Sequence, residues 1–138
     1  MRILMSLLLT CAIASANAAT APKDYVATHP DYDQQQKVTQ AQTSAPKFFA
    51  QFQQLRKLLD QDRAELPEDD KPNEAQYWVC VRIHQLYTLF DNNRKYQAAF
   101  NQQYPDMDFQ TLMGYWKADT QSERQKCYES EIFYSDRP

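Results

Sequence analysis

Residues 73–91 read NEAQYWVCVRIHQLYTLFD, the densest apolar run after the first 18 residues of the chain. Tyr77, Val79, Val81 and Ile83 stand at alternate positions, a pattern that is typical of a strand. Asn73, however, is a favourable helix N-cap, and neither proline nor glycine interrupts the chain from there to Asn93. The stretch therefore predicts a helix at 74–91. Because apolar side chains cover most of its circumference, we expect it to be the most buried helix.

The composition supports helices throughout the chain. Among 138 residues there is a single glycine, Gly114. Tight β-hairpins depend on glycine at positive φ, so a many-stranded antiparallel sheet does not fit this sequence. Gln, Ala, Leu, Lys, Arg and Glu are abundant and are good helix formers.

The predicted fold is a compact all-α bundle of four to five helices with one interhelical disulfide, Cys80–Cys127. Capping residues are expected at Ser44, at Asn73, at Asp106 or Asp108, and in a capping box at 120–123. The predicted helices are 46–66, 74–91, 94–104, 107–118 and 120–133. The predicted core consists of Phe48, Phe52, Leu55, Leu59, Val79, Ile83, Leu86, Phe90, Phe100, Leu112, Met113 and Trp116.

The N-terminal residues have the anatomy of a secretory signal peptide. A basic residue, Arg2, precedes a short apolar segment at 3–13, and Ala16-Asn17-Ala18 is a small-x-small cleavage site. The segment is too short for a transmembrane helix. A lipoprotein signal ending at Cys11 is an alternative, but Thr10 stands where such signals carry a smaller residue.

We therefore expect cleavage after Ala18, a periplasmic location and no transmembrane segment. The predicted organisation has three parts. Residues 1–18 are the signal peptide, 19–45 are a polar, Gln-rich and partly disordered N-terminal arm, and 46–138 are the helical domain.

The two cysteines of the mature chain predict a disulfide. Cleavage removes Cys11 and leaves Cys80 and Cys127, and an even number of thiols in an oxidising compartment favours a bond between them. The crosslink would contribute up to about 4 kcal/mol by loop closure.

Three other chemistries use residues of these types. His84 lies one helical turn after Cys80, so a metal site with Cys127 and His29 is one alternative. A Cys–His nucleophile is a second. A third is non-covalent haem between His84 and Met107 or Met113. The oxidising compartment argues against free thiolates, so we expect no metal, no cofactor and no catalytic residue.

The candidate partner-binding residues are polar or aromatic residues whose predicted positions are not explained by packing in the core. Arg82 falls on the apolar side of the central helix, where it needs a partner. Stacking on Trp78 together with a carboxylate of a neighbouring helix is one interpretation, and recognition of a partner at the floor of a groove is the other. The nine tyrosines exceed the needs of one core, and tyrosine is enriched at interfaces. The candidate residues are Arg82, His84, Tyr115, Tyr128 and Tyr134.

Charge and motifs bound the function. The full chain carries 18 acidic and 15 basic residues, a net charge of −3, and no basic run, which argues against nucleic acid and anionic membranes as partners. No phosphate-binding loop, nucleophile elbow or zinc-protease helix is present in the sequence. We predict a non-catalytic protein-binding module of the bacterial cell envelope, most concretely an inhibitor or immunity protein that occludes a basic secreted enzyme. The alternative is a periplasmic holdase chaperone or assembly adaptor.

Overall fold

The computed structural model of the chain describes residues 39–69 and 71–135, with side chains up to 133 in the last helix. The predicted signal peptide and most of the predicted N-terminal arm lie outside these residues. The described part is all helical and contains no strand, which confirms the predicted fold class. Its elements are α1 (Ala45–Ala64), α2 (Glu74–Asn92), a 3₁₀ turn (Arg94–Tyr96), α3 (Gln97–Gln103), α4 (Phe109–Ser122) and α5 (Arg124–Ser135).

Three helices begin at side chains that the sequence identifies as caps. The Lys47 N–H donates to Ser44 Oγ at 3.4 Å, and the Gln76 N–H donates to Asn73 Oδ1 at 2.8 Å. At α4 the cap is Asp108 rather than Asp106. The backbone N–H and then the hydroxyl of Thr111 donate to Asp108, which lowers the pKa of its carboxyl group.

Helix α2 is the centre of the bundle and contacts α1, α4 and α5. The main core is formed by apolar residues of α1, α2, α3 and α4 and is rich in aromatic rings. Phe90 of α2 lies against Phe52 with ring centroids 5.3 Å apart, and against Phe109 and Trp116 at 4.4 Å and 4.8 Å. The T-shaped geometry of several such pairs adds a directional attraction to the area buried.

The predicted core is largely confirmed. All of its members are buried except Leu112, which is half-buried and packs against the main core. Leu89 and Phe109 are fully buried members that the prediction left out. Tyr77 and Val81, also left out, form a second small cluster with Trp78.

The boundary between the last two helices differs from the prediction. A capping box beginning at Thr120 is wrong, because Thr120 is buried inside α4 and its hydroxyl donates to the Trp116 carbonyl at 2.8 Å. The break falls at Glu123 instead, where the backbone leaves helical geometry for a single residue. Threonine tolerates a helix interior when its hydroxyl bonds to a carbonyl one turn earlier.

The predicted disulfide is present. The Cys80 and Cys127 Sγ atoms are bonded, with Cα atoms 5.8 Å apart, and the bond joins α2 to α5 across a separation of 47 positions. Among the described side chains of α5, only Cys127 and Ser130 are buried, and none belongs to the main core. The attachment of α5 therefore depends on the disulfide far more than on apolar packing.

The end of the predicted arm docks onto the bundle. Asn93, which is fully buried, donates from Nδ2 to the carbonyls of Leu89 and Gln40 at 2.7 Å and 3.2 Å. Its Oδ1 accepts from the Gln42 N–H at 2.6 Å.

Two further side chains hold the same segment. Tyr96 donates its hydroxyl to the Gln42 carbonyl at 3.0 Å, and Asn92 donates to the Thr39 carbonyl at 3.1 Å. Residues 39–42 are thus held at the C-terminal end of α2.

Replacing both cysteines, Cys80→Ala with Cys127→Ala, is expected to lower the free energy of unfolding by about 2–5 kcal/mol, because the unfolded chain regains its loop entropy. The loss should be uneven along the chain. Amide hydrogen exchange should rise most in α5, whereas the amides of α1 and α2 stay protected relative to it. A uniform rise across all helices would contradict the weak packing of α5.

Removing the Asn93 side chain should be costly for its size. Asn93→Ala removes a side chain that bonds one buried and two partly buried backbone groups, and we expect it to lower the free energy of unfolding by about 2–3 kcal/mol in urea denaturation. Asn92→Ala is the matched control, because it removes only the hydrogen bond from an exposed side chain to the Thr39 carbonyl. It should lower the free energy of unfolding by less than about 1 kcal/mol. Equal losses for both variants would mean that Asn93 does not anchor residues 39–42.

Candidate functional site

A pocket of about 340 Å³ lies at the end of the bundle where α1 finishes, α2 starts and α4 passes into α5. We call it the end pocket. The loop between α1 and α2, which carries two prolines, forms one part of the lining, and the first turns of α5 form another. Its lining residues are Arg63, Leu66, Pro67, Asp69, Lys71, Pro72, Asn73, Gln76, Val79, Ile83, Asp119, Ser122, Glu123, Lys126, Glu129 and Ser130.

The rim of the end pocket is charged and mostly paired. Each of its three cations lies near a carboxylate. These pairs are Arg63–Asp119 at 3.5 Å, Lys71–Asp69 at 3.1 Å and Lys126–Glu123 at 3.8 Å. All three pairs are exposed, so each contributes little to stability. What they do is fix the pattern of charge that a partner would meet.

The floor of the end pocket combines apolar and polar side chains. Val79 and Ile83 of α2 are buried members of the main core. Beside them, Ser130 of α5 is buried, and its Oγ has no hydrogen-bond partner among the described residues. A buried hydroxyl without a partner is uncommon in proteins and invites an explanation from a ligand or solvent.

An apolar groove continues from the end pocket along α5. It is lined by Lys71, Pro72, Glu129, Ile132 and Phe133, three of which also line the end pocket. Ile132 and Phe133 are exposed to 38% and 41%, and Leu66, which lines the end pocket, to 37%. Among the described residues, the only other large hydrophobic side chain exposed to this degree is Tyr115 on α4.

Arg82 lies elsewhere, between α1 and α2. Its guanidinium stacks on Trp78 at 5.1 Å, donates to Asp62 at 3.2 Å and donates to Gln85 at 3.1 Å. The Arg82 and Asp62 side chains are only 16% and 18% exposed. The stacking interpretation of the sequence, with a carboxylate from a neighbouring helix, is therefore what the structure contains, and a role of Arg82 in binding a partner stays a prediction.

The other candidate residues are scattered. His84 is half-buried on α2, with Nε2 3.4 Å from the Thr88 hydroxyl. Tyr115 is 63% exposed on α4, and Tyr128 packs against the disulfide. The side chain of Tyr134 lies outside the described part. None of the candidate side chains in the described part lines the end pocket, which gathers residues that the sequence reasoning did not select.

Neither cysteine of the described part has a free thiol, because Cys80 and Cys127 are bonded to each other. Within residues 39–69 and 71–135, no group of three or more His, Cys, Asp or Glu side chains is arranged to hold a metal ion. Met113 is a core residue, and the Met107 sulfur accepts from Arg56 at 3.4 Å. No helix in the described part combines the length and the apolar character needed to cross a bilayer.

Comparisons with protein-family models, with curated proteins and with solved structures give no match to this chain. Its own surface is therefore what bears on its function. On that surface, the end pocket and the adjoining groove are the one region of the described chain where exposed apolar side chains and a concave charged rim occur together.

A double-mutant cycle on Arg82→Leu and Asp62→Asn distinguishes structural from recognition roles for Arg82. We expect a coupling of about 1–2 kcal/mol in the free energy of unfolding, since the pair is largely shielded from solvent. The exposed pair Arg94–Asp91, with a separation of 2.6 Å, is the control and should couple by less than about 0.5 kcal/mol. Coupling no larger than the control would remove the structural explanation for Arg82.

Proposed function

We propose that this chain is a non-catalytic protein-binding module of the bacterial cell envelope, most concretely an inhibitor or immunity protein that occludes a secreted enzyme. The observation that carries the proposal is the clustering of exposed apolar side chains around the end pocket. Leu66 lines the end pocket itself, and Ile132 and Phe133 line the adjoining groove between α5 and the α1–α2 loop. Apolar side chains surrounded by polar and charged groups are the usual anatomy of a protein interface.

The surroundings of this surface favour one specific partner. Charged residues of both signs interrupt the apolar side chains, with Lys71 and Glu129 in the groove itself. Such a pattern sets orientation and excludes wrong partners, since like charges brought together are costly. A holdase that binds many unfolded clients would need a larger uninterrupted apolar surface.

The rest of the molecule is consistent with this role. The disulfide is compatible with an oxidising compartment, and the chain carries a net charge of −3 that suits a basic partner. The bundle supplies a rigid support, because α2, which forms the pocket floor, is packed on three other helices. Rigid presentation lowers the entropy lost on binding.

The test is affinity capture from an envelope extract of the source bacterium, using the protein from Ala19 onward as bait. We expect one stoichiometric partner that wild type retains and Phe133→Asp loses, with capture weakening as salt is raised. The purified partner should be an enzyme whose activity falls when the wild-type chain is added. Unchanged circular dichroism and an intact disulfide would show that Phe133→Asp remains folded.

Tyr115→Ser is the matched control, because Tyr115 is also an exposed aromatic residue but lies on α4 away from the groove. It should leave capture unchanged. Loss of capture with Tyr115→Ser and not with Phe133→Asp would move the interface to α4 and overturn the assignment. Failure to recover any partner at low salt, combined with suppressed aggregation of unrelated unfolded proteins, would favour the holdase alternative.

A further inference from the structure

Glu129 lines both the end pocket and the apolar groove, and it is not paired with a described cation. It lies on α5 at the wall shared by the end pocket and the apolar groove. Its Oε1 accepts from Gln125 Nε2 at 2.6 Å, and no described Lys, Arg or His lies within ion-pair distance of it. The other three carboxylates of the end pocket, by contrast, are each paired with a cation.

The described lining of the end pocket therefore has four carboxylates and three cations, and the carboxylate that is not paired with a described cation is that of Glu129. A half-buried carboxylate with one neutral donor still has acceptor capacity, since an ionised carboxylate accommodates about four hydrogen bonds. The ligand that completes it best is a cation with several N–H donors, because charge-assisted hydrogen bonds are the strong ones.

Ser130 supplies a second, independent observation. It follows Glu129 directly on α5 and lies one turn after Lys126, on the side of the helix that faces the pocket. Its hydroxyl is buried and has no hydrogen-bond partner among the described residues. A hydroxyl offers two acceptor lone pairs, so a donor-rich group entering the pocket satisfies both Glu129 and Ser130.

The apolar groove accounts for the rest of such a ligand. Pro72, Ile132 and Phe133 line a groove of about 430 Å³ that begins at Glu129. Long basic side chains lay their methylene groups along apolar surface while the charged end reaches a polar partner. An adjacent apolar side chain on the same ligand would pack against Ile132 or Phe133.

We propose that Glu129 and the groove receive an arginine or lysine side chain, flanked by apolar residues, from an exposed segment of the protein partner. This proposal rests on the proposed function and specifies its recognition chemistry. Arginine fits better than lysine, since its planar guanidinium presents five donors to the Glu129 carboxylate and the Ser130 hydroxyl together.

The test uses blocked tripeptides and the ¹⁵N-labelled protein from Ala19 onward. Acetyl-Leu-Arg-Phe-amide is titrated while amide chemical shifts are followed, and acetyl-Leu-Gln-Phe-amide is the neutral reference. We expect shifts confined to the first turns of α2, the α1–α2 loop and α5, with the arginine peptide binding at least about 5-fold more tightly. Glu129→Gln should remove most of that difference, and added salt should reduce it.

Glu131→Gln is the matched control, because it makes the same charge change on the same helix without lining the pocket or the groove. It should leave the preference for arginine intact. Three results would overturn the proposal: equal binding of the two peptides, no effect of Glu129→Gln, or equally tight binding of argininamide, which would mean that the groove takes no peptide.

Failure of this proposal can be told apart from failure of the proposed function. If affinity capture yields a stoichiometric partner that both wild type and Glu129→Gln retain equally, the function stands and the basic-residue recognition falls. If the arginine peptide binds as expected but no partner is captured, the recognition chemistry stands and the inhibitor role falls.

Discussion

The bond between Cys80 and Cys127 is the constraint on which the position of α5, and with it the end pocket, depends. Helix α5 contributes no described residue to the main core, and its buried side chains are the cysteine itself and a serine. A helix of this composition would gain little from packing alone, since helices in proteins are stabilised chiefly by burying an apolar face. The covalent link removes the need for such a face by keeping α5 near α2 in the unfolded chain as well.

The aromatic core explains why the central helix can support this arrangement. Phe48, Phe52, Phe90 and Phe100 are fully or almost fully buried, and the Phe90 ring contacts each of the other three. Burying one such side chain contributes about 1.5–3 kcal/mol. The interior of α1 to α4 is therefore secure without α5, which leaves the α5 side of α2 available for polar groups.

Much of the fold followed from local features of the sequence. Ser44, Asn73 and Asp108 cap helices because a short polar side chain can reach the free N–H groups of the first turn, and this is a property of a few neighbouring residues. The disulfide was predictable from the expected oxidising compartment and from the even number of cysteines left after the predicted cleavage. Thr120 misled the prediction because the same hydroxyl that caps a helix can also bond within one, and only tertiary packing decides between the two.

The candidate site was harder to predict, since its members come from four places in the chain. The stacking of Arg82 on Trp78 could be predicted, because the two residues are one helical turn apart. The positions of Glu129 and Leu66 in the end pocket could not be predicted, because they depend on how the α1–α2 loop packs near α5. The polar pattern of α5 around Cys127 was the one signal available.

That polar pattern has two consequences that belong together. An α5 with an apolar stripe would pack into the space above Val79 and Ile83, and the end pocket would be filled by its own side chains. Glu123, Lys126 and Ser130 instead leave a charged cavity there. The resulting loss of apolar packing between α5 and the bundle is offset by the disulfide. The crosslink and the pocket are thus linked features: the covalent bond permits a surface helix to keep polar groups facing inward. Those same groups are the ones a partner would recognise.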